Sequence, residues 1–117
     1  MKIEGKIWGE TKEIINCPFF EIHRIEVEAG GYCSLHKHEH KYNAFYVESG
    51  ELEIVIHKKD YNLKDATIIK TGELTIVKPG EFHIFTATVR TIAYEIYWVD
   101  GVQPDIIRKT VGGIIGE

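Results

Sequence analysis

Hydrophobic and polar residues alternate along much of this chain with a period of two. The clearest case is the segment ELEIVIH, in which Leu52, Ile54 and Ile56 alternate with Glu51, Glu53 and Val55. Neighbouring side chains of a strand point to opposite faces, so this alternation predicts a strand with one buried face.

Similar runs, rich in β-branched and aromatic residues, are separated by Gly, Pro, Asn or Asp. They are FEIHRIEVE, YNAFYV, LTIVK, FHIFTATV and TIAYEIYWV. No segment sustains the apolar spacing of three and four residues that an amphipathic helix requires. The pattern predicts an all-β fold with little helix. Many short strands with frequent turns favour a sandwich or a closed barrel, and the pattern alone leaves these two open.

Length and composition predict one globular domain over residues 1–117, because 44% hydrophobic and 27% charged residues are ordinary for such a domain. The net charge of −4, from 18 acidic and 14 basic residues, argues against nucleic acid or an anionic membrane surface as a partner. The stretches without a charged residue reach at most the length of 82–89, which is far shorter than the roughly 20 residues of a membrane span.

The amino-terminal sequence MKIEGKIWGE has acidic residues where a secretory signal needs an apolar core. We therefore expect the protein in the cytoplasm. In that compartment thiols are usually reduced, so we expect Cys17 and Cys33 to be free rather than joined in a disulfide.

The segment SLHKHEHKYN has histidines at alternate positions, His36, His38 and His40. Residues two apart in an extended segment share a face, so His36 and His38 present two imidazoles to one side. A metal needs at least one further ligand, and His83 follows a Pro-Gly turn in KPGEFHIF. A solvated polar loop is the alternative interpretation, because charged residues alternate with the histidines and His-x-His alone is a weak signal.

The spacing around these histidines resembles the first motif of the cupin superfamily. That motif is Gly, five residues, His-x-His, three or four residues, Glu, six residues and Gly. This chain matches every spacing with Gly30, His36, His38, Asn43 and Gly50, so that asparagine stands where the family has its glutamate.

A second stretch resembles the other cupin motif, which is Gly, five residues, Pro-x-Gly, two residues, His, three residues and Asn. Gly72, Gly80 and His83 agree with it, whereas Lys78 and Ala87 depart from it. The resemblance implies a double-stranded β-helix, a small jelly-roll barrel that holds a divalent metal ion in its interior.

By position, the resemblance implies that His36, His38 and His83 are metal ligands and that Asn43 occupies the place of the carboxylate. His40 is an alternative fourth ligand, because it shares the parity of the other two histidines if the extended segment continues that far.

An asparagine in the ligand set changes the expected metal. Three imidazoles and an amide oxygen leave a divalent ion at +2, whereas a carboxylate would reduce the charge to +1. We therefore expect Zn²⁺, Ni²⁺, Fe²⁺ or Cu²⁺, and Mn²⁺ bound less well than by a carboxylate site. By the alternation of faces, Ser34, Phe45, Val47 and Phe85 would share the inward face, either as a mostly apolar small-molecule pocket or as barrel core.

Within the superfamily, the chain most resembles the carboxy-terminal cupin domain of type II mannose-6-phosphate isomerases, the class fused to mannose-1-phosphate guanylyltransferase. The likeness lies in IWGE, HRIEVEAGGYCSLHKH, YVESGELEI and DIIRK. It implies a metal-dependent, isomerase-like enzyme acting on a sugar, sugar phosphate or similar small polar substrate, and a homodimer.

Two other functions fit the same residues: a noncatalytic cupin that binds a small ligand or sugar, and a mononuclear non-heme metal dioxygenase, whose three-histidine site keeps open positions for O₂. A sugar isomerase also needs a base. No inward carboxylate is evident at Asn43, unless Glu39 or Glu81 enters the pocket.

Overall fold

The computed structural model describes residues 2–58, 63–101 and 104–116. Within these ranges the chain forms strands and turns and contains no helix. The strands are β1 (Ile3–Lys6), β2 (Gly9–Cys17), β3 (Phe20–Val27), β4 (Tyr42–Ser49), β5 (Glu51–Lys58), β6 (Leu63–Lys70), β7 (Leu74–Val77), β8 (Phe82–Ala87) and β9 (Thr91–Trp98). The predicted all-β class is confirmed.

The strands form two antiparallel sheets that pack face to face. The large sheet has the order β1-β2-β3-β9-β4-β7, and the small sheet has the order β6-β5-β8. The chain crosses between the sheets repeatedly, which is the arrangement of a jelly-roll barrel. The double-stranded β-helix implied by the cupin resemblance is therefore confirmed.

The core lies between the two sheets, on the face that the period of two predicts. In β5, Leu52 and Ile54 are buried while Glu51 and Glu53 are partly exposed. The side chains with an exposed fraction of 1% or less are Ile25, Val27, Phe45, Val47, Leu52, Ile54, Val77, Phe85, Ala87 and Ala93, with Asn43, His83 and Thr91 as the polar members. Burying one large apolar side chain stabilises the fold by about 1.5–3 kcal/mol, so these residues hold the two sheets together.

Residues 28–41, between β3 and β4, belong to no strand but run antiparallel to β8. Single bridges join Tyr32 to Thr86 and His36 to His83. Because the backbone stays extended beside β8, the alternation of side chains persists there. This segment delivers two of the three predicted ligands.

The turn between β4 and β5 requires a glycine. Gly50 has φ of 104°, and a Cβ atom at this position would lie 2.5 Å from Oγ1 of Thr91. Thr91 in turn donates to the Glu51 carbonyl oxygen at 3.0 Å, which fixes the start of β9 against the start of β5. The position of β9 matters because two of its side chains reach the site described below.

Both cysteines are free, as predicted, with Cys33 buried and Cys17 partly exposed. No helix of the described part of the chain is long and apolar enough to cross a membrane.

Candidate metal centre

Three histidines converge in the interior of the barrel. His36 and His38 come from the 28–41 segment, and His83 comes from the start of β8. One ring nitrogen from each lies within 4.8 Å of the others. Ring centroids are 4.4 Å apart for His36 and His83, and 5.6 Å apart for His38 and His83. These nitrogens are close enough for one ion to contact all three after small side-chain rotations.

Backbone hydrogen bonds hold the two histidine-bearing segments together. The His83 N–H donates to the His36 carbonyl at 2.8 Å, and the His36 N–H donates back at 3.1 Å. The Gly80 N–H donates to the His38 carbonyl at 2.7 Å. Gly80 has φ of 83°, a conformation that glycine adopts without strain, so the Pro-Gly turn docks directly on the His-x-His segment.

The hydrogen bonds of two rings fix their tautomers. His36 Nδ1 lies 2.7 Å from the Ser34 carbonyl oxygen, and His83 Nδ1 lies 2.9 Å from the Glu81 carbonyl oxygen. A carbonyl oxygen only accepts, so each Nδ1 carries the hydrogen and each Nε2 keeps its lone pair. This is the form in which histidine binds a metal.

Three buried polar atoms lack a hydrogen-bond partner among the described residues: His38 Nε2, His83 Nε2 and Asn43 Oδ1. Leaving such an atom unsatisfied costs about 1–3 kcal/mol. The Asn43 Nδ2 group donates to the Ala44 carbonyl at 3.2 Å, which identifies Oδ1 as the remaining acceptor. Two imidazole nitrogens and an amide oxygen are all electron-pair donors, so the residues present fit a divalent cation.

The buried imidazoles are neutral at pH 7. Burial lowers the pKa of His38 to about 4, and the neighbouring rings of His36 and His83 add to the effect when they are charged. Burial also lowers the pKa of His83. A metal ion therefore does not have to displace a proton from these two rings near neutral pH.

A cavity of about 820 Å³ opens beside His36, whereas His38 and His83 are not among its lining residues, and it is walled partly by the first two strands. Its lining includes Lys6, Trp8, Thr11, His23, Cys33, Ser34, His36, Phe85, Glu95 and Tyr97. Of the residues predicted for the pocket, Ser34 and Phe85 lie on this wall. Phe45 and Val47 are instead fully buried in the core, where the Phe45 ring packs at 6.1 Å from the His83 ring.

Other candidates from the sequence lie away from the cluster. His40 is exposed on a bend and is not among the converging ligands. Glu39 forms an ion pair with Lys37 at 3.0 Å, and Glu81 forms one with Lys58 at 3.1 Å. Neither carboxylate lines the cavity.

Sequence reasoning missed an inward carboxylate, Glu95, which is only 8% exposed and lines the cavity from β9. The Tyr97 hydroxyl donates to Glu95 Oε2 at 2.5 Å, and the Tyr97 ring packs against His38 with centroids 4.9 Å apart. Burial raises the pKa of Glu95. The signal was present in the sequence, because Glu95 shares the parity of Ala93 in TIAYEIYWV.

A second group of potential ligands, Glu13, Glu21 and His23, lies on the inner face of β2 and β3. Its members already have partners. Glu21 accepts from Lys41 and lies 3.0 Å from the His23 ring, and Glu13 accepts from Asn16 at 2.9 Å. This group therefore lacks the buried atoms without a hydrogen-bond partner, here called orphaned atoms, that distinguish the three-histidine cluster.

Comparisons with known proteins agree with this architecture. The family described as "Cupin domain" matches residues 23–100. A mannose-1-phosphate guanylyltransferase from Klebsiella pneumoniae is 24% identical over 90 residues, which cover 74% of this chain and 19% of that protein. The chain thus spans about a fifth of the length of this curated relative.

Two solved structures share the fold at low identity. KdgF from Halomonas sp. superposes with a TM-score of 0.72 at 13% identity, covering 86% of this chain and 90% of that one. An oxalate decarboxylase from Bacillus subtilis, determined in a study of its Mn(II) centres, superposes with a TM-score of 0.74 at 13% identity. The match covers 87% of this chain and 28% of that one.

Proposed function

Because the chain belongs to the cupin family, and because three imidazoles converge inside its barrel, we propose that it is a metal-dependent, isomerase-like enzyme. Its substrate would be a sugar, a sugar phosphate or a similar small polar molecule. The observation that carries the proposal is the set of orphaned donor atoms on His38, His83 and Asn43. A divalent ion held by these residues and His36 would polarise a substrate oxygen.

The choice of metal follows from the donors. Imidazoles suit Zn²⁺, Ni²⁺, Fe²⁺ and Cu²⁺, and the neutral amide of Asn43 compensates less of the ion's charge than a carboxylate would. The Mn(II) centres named for the structurally similar oxalate decarboxylase keep Mn²⁺ among the candidates.

The cavity supports a small polar substrate. Its volume of about 820 Å³ lies within the range of small-molecule sites. Trp8 packs edge to face on Phe85, with centroids 5.1 Å apart, and these rings give the wall an apolar surface beside the polar groups. Such a wall would orient a ligand and exclude water from it. The guanylyltransferase relative, whose name refers to a sugar phosphate, supports the same substrate class.

Turnover after metal loading tests this proposal. We expect interconversion of D-mannose 6-phosphate and D-fructose 6-phosphate, or of a related aldose and ketose pair, only in protein loaded with one of the five metals. Proton NMR of the sugar signals measures it, with chelated protein as the control. Oxygen uptake with Fe²⁺ and a diketone or thiol would instead support the dioxygenase. A sugar-dependent rise in melting temperature without turnover would support the noncatalytic binding protein.

We also propose a homodimer that forms through the outer face of the large sheet. The strand register aligns an apolar row across this face: Ile15, Ile22, Ile96, Ala44 and Ile76. Tyr42 stacks on Trp98 beside this row with centroids 5.3 Å apart. Such a row on an outer sheet face is typical of an interface, and a second copy of the chain would cover it.

Introducing a charge into this row should separate the dimer. We expect Ile76→Glu, at a site 46% exposed, to convert a dimer at micromolar concentration into a monomer, as measured by sedimentation velocity. Ile68→Glu is the matched control, because Ile68 is 55% exposed on the small sheet. A wild-type protein that sediments as a monomer would contradict the proposal.

We further propose a cytoplasmic location, which the two free thiols support.

A further inference from the structure

Glu95 is a carboxylate of the cavity wall that stands apart from the metal ligands. It is 8% exposed, it lines the same cavity as His36, and the group of ligand atoms within 4.8 Å of one another contains only the three histidines. Burying a carboxylate costs free energy, so a buried carboxylate on a cavity wall points to a functional role.

The hydrogen bond from Tyr97 orients this carboxylate. The phenol donates to Oε2, while Oε1 has no hydrogen-bond partner among the residues that the structure describes. The Tyr97 ring also packs against the ring of His38. One side chain thus links the carboxylate to the metal centre, and Oε1 is the oxygen left for a ligand in the cavity.

We propose that Glu95 is the catalytic acid–base group of the enzyme and that Tyr97 positions it. This inference rests on the proposed function and specifies its substrate class: an α-hydroxy aldehyde or ketone, such as an open-chain sugar. Among the described residues three carboxylates line the cavity, but Glu4 pairs with Lys2 and Lys6 and Glu28 is exposed, which leaves Glu95 as the buried one. A single group therefore removes a proton and returns it to the neighbouring carbon. A sugar isomerase needs a base, and Asn43 stands where the family has its glutamate. Glu95 supplies the base instead.

The reaction needs no redox partner. Glu95 takes the proton from the hydroxyl-bearing carbon next to the carbonyl, so the C–H bond breaks and an O–H bond forms on Glu95. The electron pair of that C–H bond becomes the double bond of an enediol, and the carbonyl oxygen takes up a proton from water. Glu95 then returns its proton to the former carbonyl carbon, while the hydroxyl on the adjacent carbon gives its proton back to water. Aldose and ketose differ only in the positions of two hydrogens.

Solvent-deuterium exchange tests the assignment. In D₂O the metal-loaded protein should incorporate deuterium at C2 of D-mannose 6-phosphate or at C1 of D-fructose 6-phosphate, followed by NMR. We expect Glu95→Gln, which keeps the size of the side chain, to lower the exchange rate by about 10²- to 10⁴-fold. Glu53→Gln is the matched control, because Glu53 lies on the outward face of β5. This variant should exchange deuterium at the wild-type rate.

A binding measurement distinguishes loss of the chemical step from loss of the folded site. Trp8 lines the cavity, so its fluorescence in a Trp98→Phe background reports binding of D-sorbitol 6-phosphate, a polyol without a carbonyl group. Glu95→Gln should bind this polyol within about threefold of the wild type and retain the same metal content. Loss of exchange with binding and metal content intact is the expected result.

Other outcomes are equally informative. Exchange in Glu95→Gln at the wild-type rate overturns the acid–base assignment and leaves the proposed function standing. No exchange in metal-loaded wild type with either sugar phosphate, or wild-type protein that holds no metal, overturns the proposed function itself. If Glu95→Gln does not fold, Glu95→Asp decides the question: its shorter side chain should slow exchange at least about tenfold, and an unchanged rate overturns the assignment.

Discussion

Replacing His83 by alanine is expected to strip the protein of its metal. His83 is fully buried and provides the only proposed ligand outside the first motif. Without it, His36 and His38 remain on one segment as a two-imidazole site. Removing a residue that hydrogen-bonds to a metal ligand already lowers metal affinity by about 10- to 100-fold. Removing the ligand itself should therefore lower the affinity by more than about 100-fold. Metal analysis after dialysis, with chelator competition for the affinity, measures the effect.

Two controls make this result specific. His57→Ala removes a partly exposed histidine of β5 and should leave metal content unchanged. His40→Ala removes the alternative ligand, and the exposed position of His40 on its bend leads us to expect wild-type metal content there too. His83→Gln tests for damage to the core, because it refills most of the volume of the ring. A His83→Ala protein that is folded and still binds metal stoichiometrically would contradict the proposed centre.

The sequence predicted the interior of this fold better than its periphery, for a physical reason. Strands β5 and β8 lie against the core, so their alternate residues had to be apolar, and that alternation is visible in the sequence. By contrast, β1, β2 and β6 were not predicted. Seven of the eight residues of β6 are exposed, and among the described strands β6 pairs only with β5, so little burial constrains its composition.

The candidate site was also predicted only in part. His36, His38 and His83 were predicted because turn residues and residue spacing are local properties that can be read from the sequence. The segment carrying His36 and His38 is an extended connection joined to β8 by isolated bridges rather than a strand, but parity holds in either case. Glu95 was missed because parity shows only that it faces inward. Its place beside His36 depends on β9 lying between β3 and β4, which is a property of topology.

Replacing Asn43 by aspartate should have opposite effects on the metal-loaded and the metal-free protein. The two side chains have nearly the same shape, so the change adds one negative charge at a fully buried position. Opposite unit charges about 4 Å apart attract by about 4 kcal/mol at an effective dielectric constant of 20. Part of this is offset by desolvation, so we expect Mn²⁺ affinity to rise by about 10- to 100-fold, and Zn²⁺ affinity to rise less.

In the metal-free protein the same carboxylate is buried without a cation, so the melting temperature should fall below that of the wild type. The gain in melting temperature on adding Mn²⁺ should therefore be larger in Asn43→Asp than in the wild type, as thermal unfolding with and without metal would show. Asn43→Leu, similar in size but without an oxygen, is the control and should weaken binding of every metal. Unchanged Mn²⁺ affinity in Asn43→Asp would place Asn43 Oδ1 outside the coordination sphere, and its orphaned state would then need a bound water or another donor.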